Sequence, residues 1–312
     1  MRPPGTLSSM SAPDVVVPEP VRASAADLPP AVAEALERAR PDLSGARWQT
    51  VTVGPIPWAT YAWGDPAAPP LVLVHGVTSN AETFWHIAPA LAAAGRHVVA
   101  LDLPGHGRTG HWQGRYLFAA TAADLAACLQ TAGLVGPELA VLGHSWGGMV
   151  AAALPAAGLR PGRLVLLDPP AVPVAAMEQM TRDPLERPCE HLDDALAAIR
   201  AVNPGWSDGD IWAKALGLTQ FDAAAVLAVL LQNGDWDGGL AALADPAAAA
   251  VPIWLVRGEF RTGGLIPDPV LPAFAARLGA DHLLTIAGGS HSPQRMQPEA
   301  TVLAILRALR PV

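Results

Sequence analysis

The spacing of hydrophobic positions changes several times along the chain, and each change marks an element. Short apolar runs at 71–75, 97–101, 139–142, 164–167, 253–256 and 282–286 have the length of buried strands. Between them, 83–94 (closed by Gly95), 117–131, the stretch after Ser145, about 269–278 and 298–309 repeat with a helical period. Ahead of these, 48–53 and 58–63 flank Gly54-Pro55-Ile56-Pro57 and predict an antiparallel pair. Strands alternating with helices call for a mostly parallel sheet covered on both faces.

The strand rhythm stops between 169 and about 246. Helical patches at 192–201, 208–216 and 222–231 replace it, broken by Asn203-Pro204-Gly205 and Asn233-Gly234. A helical insertion in such a sheet is expected to project over the strands' carboxyl ends as a lid. The pattern divides the chain into an arm at 1–45, a core at 46–168 and 247–312, and a lid at 169–246. The arm is rich in proline, with one helix-like stretch at 31–40. It is expected to lie loosely on the surface, so that its removal leaves activity largely intact.

Composition narrows the function. With 312 residues, 51% of them hydrophobic, the chain can bury one sizeable core. A net charge of −8 argues against nucleic acid or an anionic membrane as the main partner. Two cysteines, Cys128 and Cys189, make neither a disulfide framework nor a zinc-ligand cluster, which fits a reducing compartment. No apolar run reaches the length of a membrane span, and residues 15–17 alone are too short for a signal core. The expectation is a cytoplasmic protein that acts on a small molecule without metal or organic cofactor, a homodimer being left open.

The chemistry centres on Gly143-His144-Ser145-Trp146-Gly147-Gly148. The motif follows an apolar strand and precedes an apolar helix, so the chain must reverse within one residue. That strains the backbone at Ser145, and Gly143 and Gly147 leave room for the turn. The hydroxyl then stands above the sheet, with the Trp146 N–H at the helix N-terminus, a nucleophile elbow able to stabilise an oxyanion.

Three further motifs stand in order around the elbow: His75-Gly76-Val77, Asp102-Leu103-Pro104-Gly105-His106-Gly107 and Gly288-Gly289-Ser290-His291. From about residue 48 onward the chain resembles the α/β-hydrolase family. The resemblance implies a mostly parallel eight-stranded sheet with a helical lid after the sixth strand. It also implies a Ser-His-acid triad with Ser145 as nucleophile and His291 as base, and an oxyanion hole from the N–H groups of Val77 and Trp146. In many members the acid is an Asp three residues past the glycine that ends the seventh strand. That glycine is Gly258 here, and the position holds Arg261, which accepts no hydrogen bond. Other members carry the acid after the sixth strand, where Asp168 stands; Glu259 and Asp268 also remain open.

Gly105-His106-Gly107-Arg108-Thr109-Gly110 matches a dinucleotide fingerprint. No helix opens directly at its end, so it reads as a glycine-rich loop beside the site. Trp85, Trp206, Trp212 and Trp236 fall in the lid or near the oxyanion hole and suggest an apolar, aromatic-lined pocket. The sequence therefore points to a serine hydrolase for carboxylic esters or lactones. Carbon–carbon or amide hydrolysis by the same triad, and a ligand-binding receptor on the same fold, are the other readings. A serine nucleophile argues against the dehalogenases and epoxide hydrolases of the family, which carry Asp there.

Overall fold

The computed structural model describes residues 19–43, 45–110 and 116–310. Helix α1 (Pro30–Arg38) precedes the antiparallel pair β1 (Arg47–Val53) and β2 (Ile56–Trp63). Then come β3 (Pro70–Val74), α2 (Ile87–Ala93), β4 (His97–Leu101), α3 (Phe118–Thr131), β5 (Ala140–His144), α4 (Trp146–Ala153) and β6 (Arg163–Leu167). The segment after β6 holds β7 (Ala171–Val172), α5 (Val174–Met180), α6 (Leu192–Val202), α7 (Asp208–Leu218), α8 (Ala223–Gln232), β8 (Trp236–Asp237) and α9 (Leu240–Leu243). β9 (Ile253–Gly258), α10 (Leu271–Leu278), β10 (Leu283–Ile286), α11 (Pro293–Met296) and α12 (Pro298–Ala308) complete the order.

Eight strands form one sheet in the order β1-β2-β4-β3-β5-β6-β9-β10. β1 and β2 run antiparallel to each other, as do β2 and β4, and the remaining neighbours are parallel. This is the predicted mostly parallel sheet. Successive side chains of a strand point to opposite faces, and both faces are dry here. Val72 and Val74 meet the layer of α3, α4 and α10, whereas Leu71 and Leu73 meet α1, α2 and α12.

Two departures from the sequence pattern have local causes. The helix expected over 83–94 is divided into a 3-10 turn at Ala81–Phe84 and the later α2. Asn80 caps that turn by accepting the Glu82 N–H, and the Ala81 N–H is drawn to Asp102. The segment after β6 is not wholly helical, because β7 and β8 pair as a short antiparallel ribbon that ties its beginning to its end. Two-residue strands carry too little periodicity to be seen in sequence.

The expectation of a loose arm is corrected for residues 19–43. Val21, Leu28, Val32, Leu36, Ala39 and Leu43 are all buried, and Val21 makes a parallel bridge to Ile286. The apolar positions of α1 recur at a helical spacing and lie against α2 and α12. Proline content hid a packed layer. The earlier part of the arm, including residues 15–17, lies outside the described residues. No helix among the described residues is long and apolar enough to cross a membrane.

Leu36→Ala is expected to lower the unfolding free energy by about 2–4 kcal/mol, since it opens a cavity under α1. Chemical denaturation measures this, and a change below about 0.5 kcal/mol, the range of surface substitutions, would show that the arm is only loosely attached.

Candidate active site

In an open parallel sheet, ligands bind beyond the carboxyl ends of the strands, where the strand order reverses. Here the reversal is at β3, whose neighbours are β4 on one side and β5 on the other. The loops leaving β3 and β5 therefore diverge around one crevice. They carry His75-Gly76-Val77-Thr78 and Ser145.

Ser145 occupies φ 55°, ψ −123°, a region that L residues avoid. The conformation persists because its surroundings leave no other. A Cβ on Gly143 would lie 2.0 Å from the Gly147 carbonyl oxygen, and one on Gly147 would lie 2.3 Å from the Val74 oxygen. The Ser145 N–H donates to the Leu167 carbonyl at 3.0 Å, which ties the turn to the end of β6.

Asp168, directly after β6, is fully buried and also has positive φ, 44°. Its Oδ1 accepts the Gly258 N–H at 3.0 Å. Its Oδ2 accepts the Leu265 N–H at 2.9 Å and faces His291 Nδ1 at 2.8 Å. His291 Nε2 lies 2.9 Å from Ser145 Oγ. A carboxylate only accepts, so Nδ1 carries the proton and Nε2 is left free to accept from the serine. The backbone of His291 is held as well: its amide N–H donates to the Gly263 oxygen, and its carbonyl accepts from His144 Nε2 at 2.8 Å. Burial, and then the neighbouring His291, keep His144 well below the ordinary histidine range, so it serves as a neutral donor.

The other two carboxylates are engaged elsewhere. Glu259 accepts from the Gly288 N–H at 3.0 Å and pairs with Arg261 at 2.9 Å; the Gly288 bond is the main reason its carboxyl lies below the usual range. Asp268 pairs with Arg257 at 2.6 Å.

The loop after β3 is braced from below. His75 Nδ1 donates to the Gly76 carbonyl at 2.7 Å, and Nε2 accepts the Leu103 N–H at 2.9 Å, so one tautomer is imposed. Burial, reinforced by the nearby His106, pushes this imidazole down to about 3. Asp102 receives the N–H groups of Ala81 and Arg108 and the Tyr61 hydroxyl. The glycine-rich loop 105–110 meets the insertion, its Gly107 N–H donating to the Gln220 oxygen and its Gly105 carbonyl accepting from Asp222. Among the described residues, neither the Val77 nor the Trp146 N–H takes part in a hydrogen bond.

Ser145 and His291 open onto a cavity of about 430 Å³, within the range of small-molecule sites. Of the four tryptophans singled out in the sequence, Trp206 and Trp236 line it and Trp85 and Trp212 do not. Trp85 is turned into the core, where its Nε1 donates to Asp210 at 3.1 Å. Trp212 packs on the α1, α2 and α12 side.

Sequence reasoning overlooked several polar side chains in the lining, among them Thr78, Asp183, Glu186, Lys214 and Arg295. Lys214 Nζ reaches Glu186 Oε2 at 2.6 Å and Thr78 Oγ at 3.0 Å, and Thr78 Oγ donates to the same carboxylate oxygen. A lone lysine inside the apolar run Ile211-Trp212-Ala213-Lys214-Ala215-Leu216 was the available signal. Among the described residues, no group of three or more His, Cys, Asp or Glu side chains is placed to hold a metal ion.

Comparison with known proteins gives the family and the fold. The family model for the alpha/beta hydrolase fold matches residues 69–253. The chain is 32% identical over 262 residues to Lipase LipV of Mycobacterium tuberculosis, covering 78% of this chain and 94% of that one. Among solved structures it resembles E-2-(acetamidomethylene)succinate hydrolase, with TM-score 0.70 and 21% identity over 85% of this chain and 99% of that one. It also resembles the esterase RhEst1 from Rhodococcus sp. ECU1013, with TM-score 0.64 and 22% identity over 85% and 98%.

At about pH 5 the His75 ring is expected to stay neutral with its proton on Nδ1, although a free histidine would be protonated there. Nitrogen-15 chemical shifts read the tautomer directly. A doubly protonated ring at that pH would mean that the loop is not braced in this way.

Proposed function

We propose that this chain, which belongs to the alpha/beta hydrolase fold family and is a hydrolase, cleaves carboxylic esters, lactones included, through a covalent acyl-enzyme. The observation that carries the reading is the bridging position of His291, 2.8 Å from Asp168 and 2.9 Å from Ser145. A serine hydroxyl is a weak nucleophile until a base takes its proton. In the proposed cycle His291 Nε2 removes that proton as Oγ attacks the ester carbonyl. Asp168 keeps the imidazole in the required tautomer and stabilises the imidazolium that forms.

Negative charge then develops on the carbonyl oxygen. The N–H groups of Val77 and Trp146 receive it, each such donor being worth about 10²- to 10³-fold in rate. Their freedom from other hydrogen bonds supports that role. His291 returns its proton to the leaving alcohol, and a water deprotonated by the same ring hydrolyses the acyl-enzyme. Residues 169–246 act as a lid over a core formed by 46–168 and 247–312, and Trp206 and Trp236 supply apolar walls for the substrate. The ester preference accords with the lipase and esterase among the similar proteins.

Steady-state hydrolysis of p-nitrophenyl esters of graded acyl length tests the reading. Turnover should peak at one length and disappear in Ser145→Ala. Asp168→Asn is expected to lower kcat by about 10³- to 10⁴-fold, with Glu259→Gln close to wild type. The reverse pattern would move the acid to Glu259, and full activity in Ser145→Ala would remove the acyl-enzyme altogether.

A further inference from the structure

The two cations lining the cavity differ in one respect. Lys214 is neutralised by Glu186 at 2.6 Å. Arg295, four residues past His291 on α11, makes no ion pair among the described residues. Its guanidinium carbon stands 4.9 Å from the centroid of the Trp206 ring. Among the described residues its guanidinium donates only to Thr83 Oγ, from Nη2 at 3.0 Å, and Nε is buried without an acceptor.

The acids nearby make their direct contacts elsewhere, although Asp210 and Glu186 still favour the charged guanidinium from a distance. Asp210 accepts from Trp85 Nε1 at 3.1 Å and Ser207 Oγ at 2.6 Å. Glu186 holds Lys214 and Thr78. Asp183 caps the Leu185 N–H at 2.9 Å. Burial disfavours the charged Arg295 guanidinium, and Asp210 and Glu186 only partly offset this from a distance, so an anion in direct contact during function would stabilise it further. A guanidinium offers five N–H donors in a planar fork that matches a carboxylate, and stacking on an aromatic ring holds the fork in orientation.

We propose that Arg295 is the anchor for a carboxylate carried by the substrate. The preferred ester then combines an apolar body, lying against Met177, Ile199 and Val202 of the lining, with a free acid group on its acyl or alcohol side. The inference rests on the reading of Ser145 as nucleophile, because the ester carbonyl must reach Oγ while the acid group reaches Arg295.

The test compares mono-p-nitrophenyl adipate with p-nitrophenyl hexanoate, two esters of equal acyl length that differ in the terminal carboxylate. Wild-type kcat/KM should favour the hemiester by about 10- to 100-fold, the range of one charge-assisted contact in a desolvated site. That ratio should fall to about one in Arg295→Gln and be partly kept in Arg295→Lys, and the wild-type preference should shrink with added salt. A wild-type ratio of one or less, or an unchanged ratio in Arg295→Gln, overturns the anchor while leaving the esterase standing.

Hydrolysis of neither ester by folded protein would instead sink the esterase reading, and binding then decides about the anchor. Calorimetry of Ser145→Ala with monomethyl adipate and with dimethyl adipate needs no turnover. Tighter binding of the monoacid, lost when Arg295→Gln is added, supports the anchor; equal binding of the two overturns it.

Discussion

A carboxylate removed from water must be given hydrogen-bond donors, and the way Asp168 finds them organises the site. Its oxygens gather the Gly258 N–H at the end of β9, the Leu265 N–H in the following loop, and His291 in the loop after β10. Groups 90, 97 and 123 residues downstream are thus fixed to the end of β6. With Asp168 0% exposed, loss of any donor would leave a buried charge partly unsatisfied, so their arrangement is imposed with little freedom. The position of His291 relative to Ser145 follows from that arrangement.

The opposite side of the crevice is held by a second polar network. Thr78, itself at φ 54°, bonds with Glu186 and Lys214, both from the segment after β6. Val77 therefore sits in a loop gripped from above by that segment and from below by His75 and Asp102. A donor aimed at a developing charge contributes most when it need not reorganise, and this bracing supplies that condition. Two residues with positive φ, Thr78 and Ser145, line the same cavity, consistent with strain being retained where geometry serves chemistry.

The cavity between these networks has mostly apolar walls, with Trp206 and Trp236 among them. Several of its polar groups have partners within the protein, Glu186 and Lys214 among them. Arg295, by contrast, makes no direct ion pair among the described residues and keeps guanidinium donors free of acceptors.

Periodicity and motif context made much of this legible. Alternating strand and helix patterns determine the parallel sheet, because a strand buried on both faces must be apolar throughout and a crossover needs a covering helix. Gly143-His144-Ser145-Trp146-Gly147 placed a serine at a strand-to-helix turn, since both glycines answer to local sterics. Other features depended on contacts across the chain. Among Asp168, Glu259 and Asp268, the one that meets His291 was decided by where β6, β9 and β10 bring their ends together, a matter of sheet order that spacing does not encode. Which tryptophans line the cavity depended on tertiary packing: Trp212 of α7 packs on the α1, α2 and α12 side, and Trp85, ahead of α2, is buried against Asp210. The packing of residues 19–43 was masked by proline-rich composition, because burial of Val32 and Leu36 needs α2 and α12 as partners. The pairing of Lys214 likewise exists only in three dimensions: the carboxylate that neutralises it, Glu186, comes from 28 residues away, and the Thr78 hydroxyl beside it from 136.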